Sequence, residues 1–283
     1  MPSRKRIRRA LLALAAVLAS AAVAAAPRAP LAVATGILPL KFFIERVGGQ
    51  HVTVTAMVGS GASPETYEPT PLQMAAVARA EIYVAIHVPF ERAWLARIGQ
   101  QNPHLRIVDC RPPETRADTQ AGDAHIWTSP RVAAGIARCV ADALGAIDPA
   151  RAGDYRAGAD ALVRELDLLD TEIRRRLAAA AVRSFLVYHP AWDFYAREYG
   201  LVQVAIEADG KAPSARHLAQ VIERARRERL RTIFVQPQLA GAAAAAAARE
   251  LGARIVVLDP LAESYIESLR SVTDAVAGSP SAP

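Results

Sequence analysis

Three short strings carry the residues best suited to chemistry: DAHIWTSP with His125, FLVYHPAWDFYAREYG with His189, and RIVVLDPL with Asp259. Each sits at a strand end or a strand-to-helix junction, so two imidazoles and a carboxylate from distant parts of the chain can converge on one metal ion. A fourth candidate is Glu65, in GASPETYEPTP. Imidazole suits zinc and other late transition metals, whereas carboxylate oxygens also suit harder ions such as manganese. Two His, one Asp and one Glu formally neutralise a divalent ion. That set builds a tetrahedral zinc site or, with bidentate carboxylates, a manganese or iron(II) site of higher coordination number. The Irving–Williams order places Zn2+ ahead of Mn2+ for such donors unless geometry forbids it, so Zn2+ is the first expectation and Mn2+ or Fe2+ the alternative.

Each of these residues has a plainer reading. A lone His at a strand end is commonly a hydrogen-bonded structural residue, and Asp259 before Pro260 can simply cap the next turn. Glu65 can face solvent and leave water as the fourth ligand; Glu68 is the other carboxylate nearby. His87 closes the apolar string IYVAI, where it either brings an imidazole to the metal or packs as a loop residue against Pro89 and Trp94. Glu207 ends VQVAIE and reads either as an outer partner that orients a ligand imidazole or as a hydrogen bond between lobes. His51, His104 and His217 read as surface residues.

Apolar runs alternate with helical patterns through the chain, which is the sign of parallel α/β layers. Leu31–Thr35, Val52–Val58, Ile82–Ile86 and Leu105–Val108 read as strands, with helices over Leu40–Val47, Leu72–Ala80, Glu91–Ile98 and Pro130–Leu144. From Pro149 to Ala181 there is no Pro after the first residue and no Gly after Gly158, and apolar positions recur every three or four residues. That is one long helix, of up to about nine turns. Strands then return at Phe185–Tyr188, Val202–Ile206, Thr232–Val235 and Ile255–Leu258. Helices are expected over Trp192–Tyr199, Ser214–Glu228, Ala240–Leu251 and Ser264–Ala277. The fold class is therefore α/β: two β/α lobes with parallel-rich sheets, joined by one long rigid helix. The lobes are expected over residues 27–148 and 182–283, with the connecting helix over 149–181. Ligands of such sheets sit outside the carboxyl ends of the strands, which places the metal site in the cleft between the lobes.

Residues 1–26 read as a cleaved secretory signal peptide: a basic start through Arg9, an Ala/Leu/Val run, and small residues at Ala22–Val23–Ala24. No Cys precedes Cys110, so lipid attachment at the cleavage site is not expected, and the mature protein should be free in the periplasm or secreted. The formal charge of +6 belongs largely to that leader. Without its five cations, 29 Lys+Arg face 28 Asp+Glu, which removes the case for a nucleic-acid partner based on net charge. Cys110 and Cys139 can form a disulfide in an oxidising compartment or stand as two small core residues. Neither belongs to a CxxC or a Cys/His cluster.

Four segments now stand in order: GASPETYEPTP, DAHIWTSP, YHPAWDFYAREYG and VVLDPLAE. Their spacing and flanking prolines resemble the solute-binding proteins of zinc and manganese ABC importers, often called cluster A-I. The resemblance runs from about Leu31 to Ala277 and includes the long helix, FVQPQ at Phe234–Gln238 and PSARHLAQVIE at Pro213–Glu223. It implies capture of a divalent metal in the periplasm and delivery to an ABC permease in the inner membrane, by a protein expected to act as a monomer. His125 matches the histidine of the family's DPHVW-type strings, His189 that of FHDAF-type strings, and Asp259 the Asp of VLDPL. The departure is Glu65, in SPETYEP, where relatives often read SPHDYEP or SPHTYEP. Many zinc-type relatives also carry a His-rich loop before the second ligand string, and the corresponding RPPETRADTQAGDA has no His.

An enzyme is the main rival, because three protein ligands plus water on zinc is a hydrolytic arrangement. Against it, the sequence has no HExxH and no GxSxG, and GSGAS at Gly59–Ser63 lacks the lysine of a phosphate loop. A binding protein for an organic solute is the second rival. Trp127, Trp192 and Tyr67 are available to line its cleft, but the polar groups there are mainly metal-ligand types.

Overall fold

The structure is a computed structural model that describes residues 29–120, 123–180, 182–207, 213–239 and 241–279. The expected signal peptide lies outside the described residues. The chain divides into a first unit, Met1–Pro30, and a compact unit, Leu31–Pro283, which carries both sheets.

Two four-stranded sheets are built on the same plan. The first contains β1 (Leu31–Thr35), β2 (Val52–Ala56), β3 (Ile82–Ala85) and β4 (Arg106–Asp109) in the order β2-β1-β3-β4. The second contains β5 (Ser184–Val187), β6 (Val202–Ala205), β7 (Thr232–Val235) and β8 (Arg254–Val257) in the order β6-β5-β7-β8. All pairings are parallel, for example Leu31 opposite Val52 and Ser184 opposite Val202. The inner strands β3, β5 and β7 are buried along their whole length, and β1 nearly so. Runs such as IYVA and TIFV need a helix layer on both faces. The outer strands are half-exposed, and VTVTA in β2 alternates as an edge strand should.

The helices of the first half are α1 (Leu38–Gly48), α2 (Pro71–Val77), α3 (Pro89–Gln101), α4 (Arg116–Gln120) and α5 (Pro130–Ile147). Next comes α6 (Ala152–Ala178), a 27-residue helix, somewhat shorter than the sequence pattern suggests because Pro149–Arg151 forms a separate 3-10 turn. The second half adds α7 (Asp193–Glu198), α8 (Ala215–Arg227), α9 (Ala242–Leu251) and α10 (Tyr265–Ala277). The polyalanine run is indeed an interior helix. Ala244, Ala247 and Ala248 bury its inner face, and Gly252 in the left-handed region (φ 59°) ends it. Among the described residues, no helix is long and apolar enough to cross a membrane.

The long helix is less a strut between lobes than a shared wall. Its apolar stripe of Tyr155, Ala159, Leu162, Leu166, Leu169 and Ile173 packs against α1 and α5 on one side and α10 on the other. Gly158 permits the closest approach: a Cβ there would stand 2.4 Å from the carbonyl oxygen of Val47 at the end of α1. One apolar core therefore runs from the first sheet through α6 to β5 and α10. A smaller, separate cluster fills the space between the second sheet and α8 and α9. Cys110 and Cys139 are bonded, so the plainer reading of two unlinked core residues does not hold. The bond ties the segment after β4 to the middle of α5.

Candidate metal centre

Parallel strands converge on the site. His87, His189, Glu207 and Asp259 each stand two residues beyond the end of a strand, β3, β5, β6 and β8 respectively. Backbone pairing carries the second sheet past its strand ends and aims the next side chains. The Tyr188 N–H donates to Phe234 at 2.8 Å, and the Glu207 N–H donates to Tyr188 at 2.8 Å. Glu207 is thereby set beside His189, with its Oε2 2.7 Å from His189 Nδ1. That contact lies within one lobe, so the between-lobe reading of Glu207 does not apply. It turns Nε2 of His189 the other way, where it is buried with no hydrogen-bond partner.

The first half supplies its groups from loops. His125 opens a 3-10 turn, Ile126–Thr128, and its carbonyl accepts from the Thr128 N–H and hydroxyl. Ser129 then caps α5. Asp123 Oδ1 accepts the backbone N–H of His125 at 3.1 Å and faces its Nδ1 at 3.3 Å. Glu65 sits in a turn closed by the Thr66 N–H and the Ser63 carbonyl, and Ser63 Oγ hydrogen-bonds its carboxylate. The rest of that string is structural. Thr70 and Gln73 form a reciprocal cap on α2, and the Tyr67 hydroxyl donates to Gln73 at 2.7 Å.

The three groups meet at their tips. Glu65 Oε1 is 3.7 Å from His125 Nε2 and 3.6 Å from His189 Nε2, and one ligand atom from each residue lies within 4.8 Å of the others. Tetrahedral zinc with bonds of about 2.0–2.1 Å separates its ligand atoms by about 3.3–3.4 Å, so a small contraction would close these edges on an ion. Electrostatics already anticipate a cation. Burial disfavours a charged His125, but contact with Asp123 and Glu65 outweighs it and holds the imidazole pKa up at about 9. Burial likewise opposes charge on Glu65, yet His125 and Ser63, with the charge of His189, pull it down to about 2. Without metal, a proton on His125 faces the Glu65 carboxylate.

Two sequence candidates are not drawn into this group. Asp259 is half-buried, and its Oδ1 accepts the Leu261 N–H at 2.9 Å, the turn-capping role that an Asp before Pro commonly plays. Its segment is nonetheless fastened beside the His125 turn: the Trp127 indole N–H donates to the Pro260 carbonyl, and the Tyr265 hydroxyl to the Trp127 carbonyl, both at 2.7 Å. His87 turns toward β4, with Nε2 3.6 Å from Asp109 Oδ2 and φ at 60°. Buried Glu91 holds its loop by accepting from the Ile86 and Val88 N–H groups. His87 therefore does not take the place of the histidine missing at Glu65. Asp123 is legible only as part of a string; an Asp two residues before a candidate ligand His is the signal that could single it out.

Two parallel sheets of identical order, sharing one long helix and bringing Glu65, His125 and His189 together, define a two-lobed binding protein of the solute-binding class. The model of the family described as "Zinc-uptake complex component A periplasmic" (ZnuA) matches residues 33–278, and the chain belongs to that family. A crystal structure of ZnuA superposes with a TM-score of 0.84 at 34% identity, covering 88% of this chain and 99% of that one. The Zn(II)-bound ZnuA-like domain of Streptococcus pneumoniae AdcA superposes with a TM-score of 0.73 at 25% identity, covering 88% and 99%. The zinc-binding lipoprotein AdcA of S. pneumoniae is 26% identical over 255 residues, which is 83% of this chain and 50% of AdcA. The chain thus spans half the length of that relative.

Proposed function

We propose that this protein captures a divalent transition metal, zinc first, in the periplasm and hands it to the permease of an ABC importer. The observation that carries the reading is the buried, unpartnered Nε2 of His189, aimed at the Glu65 carboxylate and accompanied by His125. A buried polar atom without a partner is costly, and a cation bonded to all three tips removes that cost. Glu65, His125 and His189 are the proposed ligands, with Asp259 as the fourth. A carboxylate has room to accept the Leu261 N–H and still coordinate an ion. Family membership and the zinc named for its relatives support Zn2+. The two carboxylates keep Mn2+ and Fe2+ as the alternatives.

The ligands come from both lobes, proposed here as residues 27–148 and 182–283 around the helix 149–181, so parting the lobes undoes the site. With Asp259 as the proposed fourth ligand the site has no open position for a substrate, which favours transport over hydrolysis. The protein is proposed to act as a monomer. Metal analysis and competitive titration of the mature chain test this. One zinc per chain is expected, with both His125→Ala and His189→Ala losing it. A chain that binds no transition metal, or two variants that bind it unchanged, would end the proposal.

A further inference from the structure

We infer that Arg197 and Asp123 form a clamp across the two lobes that positions the His125 imidazole for the metal. The inference rests on the metal-capture reading above. Helix α7 follows His189 closely in the second half of the chain, and Arg197 is its penultimate residue. The guanidinium is itself held in place: it lies 4.4 Å over the Phe194 ring, and its Nε is 2.8 Å from Asp193 Oδ2. From there it reaches the first half, with Nη1 3.2 Å from Asp118 Oδ1 and Nη2 3.6 Å from Asp123 Oδ2. The other oxygen of Asp123 is the one that faces His125 Nδ1. A charge in the second lobe thus holds one side of a carboxylate whose other side orients a ligand of the first.

The neighbouring residue acts in the same direction. Glu198 accepts from Ser129 Oγ at 3.3 Å and Arg131 Nε at 3.1 Å, so α7 grips the His125 segment on both sides of the ligand. His189 has no such dependence, because Glu207 belongs to its own lobe. Parting the lobes therefore removes Arg197 from Asp123 and loosens His125, while His189 stays oriented. Asp123 Oδ2 is buried with no hydrogen-bond partner, and 3.6 Å is too long for one. An ion at Nε2 leaves the Nδ1–H of His125 to donate to Asp123, as metal-bound imidazoles do toward a neighbouring carboxylate. Arg197 is a positioning residue and touches no cargo.

The test measures zinc affinity and release into a chelator for the mature chain, alongside Arg197→Gln, Arg197→Lys, Asp123→Ala and the Arg197→Gln/Asp123→Ala double variant. Asp123→Ala should weaken binding about 10-fold, the lower end for an outer partner of a ligating His. Arg197→Gln should speed release about threefold, as for a partly exposed charge pair, and Arg197→Lys should restore most of it. The two effects should not add in the double variant, since both act through one carboxylate. Arg197→Gln in a Glu207→Gln background should add. A wild-type release rate in Arg197→Gln, or additivity with Asp123→Ala, overturns the clamp while zinc binding by the wild type leaves the metal-capture reading intact. Failure of the wild type to bind zinc removes the reading itself.

Discussion

The two halves of the molecule present their imidazoles by different means. In the second half, His189 and Glu207 extend neighbouring strands, and the sheet sets their 2.7 Å contact. In the first half, His125 rides on a loop, its Asp123 contact is longer at 3.3 Å, and help comes from outside. A disulfide closes the segment from Cys110 to Cys139 around it, and α7 holds it from the other lobe. Rigid elements make one half of the site permanent, while loops and cross-lobe contacts leave the other half conditional.

The largest effect should come from the ligands. His189→Ala and His125→Ala should each weaken zinc by more than the roughly 100-fold upper range of an outer partner, measured by chelator competition. Equal release rates for the two residual sites would mean that the two halves hold their imidazoles equally firmly. Next is the disulfide. Replacing Cys110 and Cys139 by Ser should cost about 3–4 kcal/mol by the loop-closure argument, measured by chemical denaturation. Hydrogen exchange should quicken in the His125 segment and not around β5 and β6; a uniform increase would show that the two halves are not separately held. Glu207→Gln should weaken zinc about 10–100-fold, more than Asp123→Ala, because it removes the tighter contact. The reverse order would invert the comparison.

The last effect is on pH dependence, and its two signs oppose. In the metal-free protein, His125 titrates at about 9 against an ordinary value of 6.5. Its contribution is complete below about 6.5 and is lost as pH rises through 9. Glu65 titrates at about 2 against 4.5, so its contribution is complete above about 4.5 and is lost as pH falls toward 2. The metal-free melting temperature should therefore fall between pH 6.5 and 9.5, by about 2–4 °C for each kcal/mol lost. Zinc affinity should rise over the same range, because binding displaces the His125 proton. A melting temperature flat across that window would remove the imidazolium–Glu65 pair from the metal-free site.

Much of this was legible in advance because it depends on local patterns. Uniform apolar runs such as IYVA and TIFV announce buried parallel strands, and the 3–4 spacing in α6 announces a long helix. Strand ends in such sheets hold the functional side chains, so His189, Glu207 and Asp259 stood out. The helix ends were less legible, since Pro149–Arg151 could equally have begun α6. Glu65 is a candidate from its string alone, but a carboxylate in a surface turn has no local mark that distinguishes a ligand from a solvated side chain. His87 stays open in the sequence for a related reason, because a strand end says where a residue starts but not which way a left-handed backbone turns it.

The residue types by themselves determined the donor chemistry, two imidazoles with carboxylates, and the parallel α/β plan that carries them, since both follow from side-chain composition and short-range periodicity. Only the tertiary structure decided which tips meet. Whether Glu65 stands between His125 and His189, whether Asp259 spends an oxygen on its own turn, and whether Arg197 reaches Asp123 depend on how two sheets dock around α6. Those distances are set by packing between segments far apart in the chain, where no short string carries the information.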